Sequence, residues 1–173
     1  MKSNLKILKH RDFDFEKVRF YAVKFEEDDK NQLDQFFSKY ENKYSESVYY
    51  IQKWLAEIGE KRGATSRYFR TTDNYDYLPP SAKEIKLFDG EIENSKMLLR
   101  LYCIVLSEEV VLLVNGGVKE SQNTQKSPTC WIQAMFTSNL ATQIAKQFDQ
   151  GNCELIGKRL KMNKNFSLTY AKK

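Results

Sequence analysis

The spacing of apolar positions changes repeatedly along the chain, and each change marks an element. In residues 18–25, Val18, Phe20 and Ala22 fall on one side, with Arg19, Tyr21, Val23 and Phe25 on the other. Their β-branched and aromatic character predicts a strand. The acidic run Glu26-Glu27-Asp28-Asp29 precedes Leu33, Phe36, Phe37, Tyr40 and Tyr44 at three- and four-residue spacing, which predicts a helix near 28–42. Val48, Ile51, Trp54, Leu55 and Ile58 continue that spacing in a second helix over 45–62. Ser45 or Ser47 suits its start and Gly63 its stop. Residues 64–77 show no period and read as a loop, and Leu78-Pro79-Pro80 forces an extended entry into the next element.

A dense β region comes next. Residues 85–88 predict a short strand closed by Asp89-Gly90. Residues 97–106 and 110–114 predict an antiparallel hairpin turned at Ser107-Glu108-Glu109, the second strand ending at Asn115-Gly116-Gly117. Both strands are apolar at nearly every position, as expected of central strands covered on both faces. Ser127-Pro128 opens a third helix over 128–150, striped by Ile132, Met135, Phe136, Leu140, Ile144 and Phe148 and stopped at Gly151. Residues 153–162 and 165–171 are β-like. The order β-α-α-β-β-β-α predicts an α+β fold, with a helical hairpin and a C-terminal helix on a mostly antiparallel sheet. Met97, Leu99, Leu101, Cys103 and Val105 form a uniformly apolar strand face, so all three helices are expected on that face. Residues 1–173 read as a single domain, with a charged lead-in over 1–15 and a basic extension over 151–173.

Charge sharpens the reading of the extension. The chain carries a net +5, and the last 23 residues hold six lysines and arginines against Glu154 alone, so residues 1–150 are neutral. Lys158, Arg159 and Lys161 in that stretch suit non-specific phosphate contacts, or else a solvated tail. No apolar run approaches the ~20 residues of a membrane helix and no apolar leader follows the basic N-terminus, so a cytoplasmic protein without membrane contact is expected. The three cysteines are dispersed and the one histidine is His10. This excludes a Cys/His zinc cluster and makes histidine-based catalysis improbable; no metal or cofactor is expected.

Three stretches together resemble the RelE/HigB superfamily of toxins, the messenger-RNA interferases of toxin–antitoxin pairs. These are Leu78-Pro79-Pro80 with residues 83–90, the strand Leu99-Arg100-Leu101-Tyr102, and residues 110–124 from Val110 through Lys119 to Thr124. The resemblance covers residues 16–150; Glu120 stands where a second lysine is common. It implies metal-independent RNA cleavage by 2′-hydroxyl attack on the adjacent phosphate. The implied partners are mRNA or the ribosome and a small helix-turn-helix antitoxin.

Such chemistry needs a proton acceptor, charge stabilisation on the phosphorane and a proton donor, and arginine, lysine and tyrosine can divide these tasks. Arg100 and Tyr102 alternate away from the apolar strand face, Lys86 can face outward beside Glu84, and Lys119 follows Gly116-Gly117, where a phosphate can approach. Gln122 and Lys126 are second-line contacts. Arg67 and Arg70, among Tyr68, Phe69, Tyr75 and Tyr77, suit base stacking. The alternative is a non-catalytic nucleic-acid or protein-binding module on the same fold.

Overall fold

The structure, a computed structural model, describes residues 1–81, 97–120 and 126–172. Among these residues, nine strands and three α-helices succeed one another. Strand β1 (Ser3–Asp14) and β2 (Arg19–Phe25) precede helices α1 (Gln32–Tyr40) and α2 (Ser45–Glu57). Then come the short β3 (Arg70–Thr71) and β4 (Asp76–Leu78), followed by β5 (Leu99–Val105) and β6 (Val110–Val118). Helix α3 (Pro128–Asp149) leads to β7 (Cys153–Ile156), β8 (Arg159–Met162) and β9 (Leu168–Tyr170). The α+β class is as the sequence indicates. The expected strand over 85–88, which carries Lys86, lies outside the described residues, as does Gln122.

The main sheet runs β3-β4-β5-β6-β2-β1-β9, and its pairings are antiparallel except β2 with β6, which is parallel. Residues 3–14, which read as a polar lead-in, are a full strand of this sheet. Leu5, Ile7, His10 and Phe13 point inward, but the register slips between Lys9 and Asp14, which breaks the alternation that would have announced it. The C-terminal extension contributes β9 beside β1 and the separate β7–β8 hairpin.

The helices do not share one face. Helices α1 and α2 cover Phe20, Ala22, Leu99, Leu101, Cys103, Val111 and Leu113, whereas α3 covers Tyr21, Val23, Ile104, Leu112 and Val114 on the opposite face. This corrects the expectation of three helices over one side and fits the continuous apolarity of β5 and β6. Helix α3 turns Cys130, Ala134 and Ala141 to the sheet along with Phe136, Leu140 and Ile144. Ile132, assigned to the buried stripe, is 62% exposed, and Met135 is exposed with it. Small side chains on the inner stripe let α3 lie close to the sheet and hid that stripe from a hydrophobicity reading. Caps differ as well: Asn31 receives the Asp34 N–H at 2.8 Å, while α2 begins after Tyr44 with no side-chain cap.

Between Leu101 and Cys103 on β5 the partner shifts from Gly116 to Leu113, so β6 holds one extra residue there. Side chains of β6 change faces across this bulge. Val111 and Leu113 point to the α1–α2 layer before it; after it Gly116 abuts Phe36 of that layer, and Gly117 abuts the backbone of Thr129 and Cys130 in α3. Neither glycine leaves room for a Cβ.

Candidate functional site

The face of β5 that carries Arg100 and Tyr102, expected to be open, lies beneath the first turn of α3. Arg100 pairs across the ladder with Gly117, and the missing side chain there admits Thr129 and Cys130 of the helix. Tyr77 of β4 pairs with Tyr102 and Arg70 of β3 with Tyr77, so Arg70, Tyr77 and Tyr102 form a row across three strands. Lys119 follows β6, its N–H donating to the Leu98 carbonyl at 2.7 Å. Lys119 sits two residues beyond Gly117, a diagonal neighbour of Arg100 at about 7–8 Å in an ordinary antiparallel ladder.

Arg100 is 5% exposed. Its Nη1 donates to the carbonyls of Met97 and Leu99 at 2.9 and 3.0 Å, and no carboxylate pairs with it among the described residues. Burial, then Arg70, holds its pKa below the ordinary value. Burial, then Arg100 and Arg70, does the same to Lys119. Three cations thus share one place, and among the described residues no carboxylate pairs with the buried one. A buried charge is ordinarily paired, and the N-terminal end of the 22-residue helix α3 adds a further partial positive charge beside them. Among the described residues the charge that meets here is positive.

The tyrosines line the same place. Tyr102 packs edge-on to Tyr75 with ring centroids at 5.7 Å and against Tyr77 at 5.6 Å. Burial, then Cys130, pushes the Tyr102 phenol far above its usual range. Tyr102 is therefore a protonated packing residue at neutral pH, and it cannot serve as a base. Burial also raises the Cys130 thiol, which excludes a reactive thiolate.

The remaining expected site residues lie elsewhere. Arg67 stands 5.5 Å over the Tyr68 ring, and Tyr68 and Phe69 are buried in the α1–α2 core, so neither is available to stack a base. Lys126 is exposed just ahead of α3. Lys158 donates to the Phe15 carbonyl at 2.8 Å, and Arg159 and Lys161 are exposed on β8. That hairpin is tied to β2 by Tyr21, whose hydroxyl donates to the Lys158 carbonyl at 3.2 Å and accepts from the Leu160 N–H at 3.0 Å. It follows the C-terminal end of α3, a helix about 33 Å long whose other end covers the cation cluster. The basic extension and Arg100 therefore do not form one patch.

His10 is buried: Nε2 donates to Asp34 Oδ1 at 2.8 Å and Nδ1 accepts the Asp12 N–H at 3.2 Å. With both nitrogens engaged it fixes β1 to α1. Among the described residues no three His, Cys, Asp or Glu side chains group as a metal site would require, and no helix is long and apolar enough to cross a membrane.

No protein-family model matches the chain, and neither a curated protein nor a solved structure matches it.

Proposed function

We propose that the protein binds RNA by a backbone phosphate held between Arg70, Arg100 and Lys119 at the start of α3. One observation carries this reading: a guanidinium 5% exposed, with no carboxylate partner among the described residues and two further cations beside it. A phosphate supplies the missing negative charge, and arginine can grip two of its oxygens at once. Exposed Arg159 and Lys161, at the far end of α3, suit a long polyanion better than a small phosphate.

A second reading adds cleavage, as the resemblance to the RelE/HigB toxins implies. Lys119 favours it, because an ammonium below its ordinary pKa is better suited to moving a proton at neutral pH. Its partners would then be mRNA, free or on the ribosome, and a small helix-turn-helix antitoxin. The buried Tyr102 favours the non-catalytic reading.

Fluorescence anisotropy with a labelled oligoribonucleotide tests both readings. Affinity should fall at least tenfold in Arg100→Met, and a single bound phosphate should contribute a salt slope near −0.7. Incubation of the same RNA, with and without ribosomes, separates the readings: wild-type cleavage lost in Lys119→Gln selects the interferase. Binding without cleavage selects the module. Absence of RNA binding removes both.

A further inference from the structure

We propose that the groove at the carboxyl ends of β2 and β6 is a second site, which binds a nucleobase. These two strands are the parallel pair, and the helices that come after them leave to opposite faces of the sheet, α1 to one and α3 to the other. Strands part at such a switch, and the crevice beyond their carboxyl ends is where open sheets receive ligands. Here the bulge in β6 widens the gap: β2 pairs with β6 only as far as Ala22 and Leu113. The resulting groove has a volume of about 990 Å³. That is ample for a base with its ribose.

Its floor is built of buried amides. Asn115, at the bulge, donates from Nδ2 to Gln32 Oε1 at 2.8 Å and accepts the Gly116 N–H at 2.7 Å. Both amides are more than nine-tenths buried. Gln32 is thereby fixed, and its own Nε2 makes no hydrogen bond among the described residues. From the α3 side, Gln133 Oε1 is fully buried with no hydrogen-bond partner. Two residues that line the groove thus carry amide atoms with no hydrogen bond among the described residues, a donor on Gln32 and an acceptor on Gln133. Phe25 and Phe136, stacked with centroids 5.7 Å apart, supply an apolar wall.

The rim carries charges of both signs, Asp28, Asp29, Lys30, Lys39 and Lys172. The Asp28 carboxylate is taken by Lys172 at 2.6 Å and by Gln35 Nε2 at 3.2 Å, and Lys30 donates to Ser38 at 3.1 Å. The buried floor itself is uncharged, so the part of the ligand that meets it is neutral, flat and edged with both a donor and an acceptor. A nucleobase edge has that form, and glutamine and asparagine side chains read such edges in paired fashion. This site is distinct from the phosphate cluster: none of Arg70, Arg100 and Lys119 lines the groove.

Gln133 makes the proposal testable, because an unpaired buried acceptor weakens folding. Gln133→Leu should leave thermal stability unchanged or raise it. The probes are the four uncharged ribonucleosides, titrated into the full chain by calorimetry. We expect at least one to saturate, with affinity about tenfold or more weaker in Gln133→Leu and unaltered by salt. Gln133→Glu retains an acceptor and should bind better than Gln133→Leu. No saturation of any nucleoside by about 10 mM overturns the site, as does a loss of several degrees in the melting temperature of Gln133→Leu, which would mean a structural hydrogen bond. A nucleoside displaced by a short oligoribonucleotide identifies the ligand as a base of RNA; one that stays bound identifies it as free nucleoside. Since nucleosides carry no phosphate, failure here leaves the Arg100 reading standing, and failure of Arg100→Met to weaken RNA binding leaves this one.

Discussion

Arg100 and Lys119, on neighbouring stretches of β5 and β6, bring two like charges onto one face of the sheet; burial and then Arg100 depress the Lys119 ammonium. On the reading proposed above, a bound phosphate lies between them.

Arg100→Met replaces a buried charge, with no carboxylate partner among the described residues, by an apolar side chain of similar length. Removing such a charge in favour of a packed hydrophobe is neutral or stabilising. The expected outcome is an unchanged or higher melting temperature together with weakened RNA binding. A calorimetric loss of several degrees would show that the two carbonyl contacts outweigh the repulsion.

Sulfate or phosphate should stabilise the wild type more than chloride at equal ionic strength. At ten times its Kd an anion adds about 1.4 kcal/mol, or roughly 3–6 °C for a domain of this size. Arg100→Met should lose this increment. A thermal-shift series in the three salts reads both.

The pH dependence has a defined sign. Lys119 in the folded chain titrates below its ordinary value of 10.5, so the unfolded chain binds more protons in that interval. Stability of the anion-free protein should therefore rise as pH climbs through the folded value toward 10.5. Phosphate affinity should fall over the same interval as the ammonium is lost. Chemical denaturation and anion titration at stepped alkaline pH measure the opposed trends, and Lys119→Gln should flatten both.

Two substitutions test the frame. Leu101→Ala, at a fully buried position of β5, should cost about 2–5 kcal/mol in chemical denaturation. Gly117→Ala would drive a methyl into the backbone of Thr129 and Cys130. Overpacking of that kind costs about 1–3 kcal/mol; it should also lift α3 from Arg100 and weaken anion binding.

Much of this frame was legible in the chain. The two helices after β2, the β5–β6 hairpin and the long third helix all arise from apolar spacing. The layer taken by α3 did not, because Cys130, Ala134 and Ala141 carry the contact while the bulkier Ile132 and Met135 face out. Strand β1 was hidden by its slipped register. At the site, the pattern marked Arg100 as a charge in an apolar strand and Lys119 as a neighbour past the glycines. It could not reveal that Arg100 is covered, that Arg70 joins it across β4, or that Gln32 meets Asn115 in a groove that Gln133 also lines, since these depend on contacts distant in sequence.

The extra residue in β6 acts as a parity switch. Alternation carried unbroken from Val111 and Leu113 would place every later odd-numbered residue, Lys119 included, in the α1–α2 layer. One inserted position reverses the count, so Lys119 emerges on the side of Arg100, and the same irregularity opens the crevice beside Asn115. Deleting a single residue there would exchange the two sides of everything downstream up to α3. A change of one in chain length, with no side chain of the cluster altered, would dissolve the cluster and close the groove together.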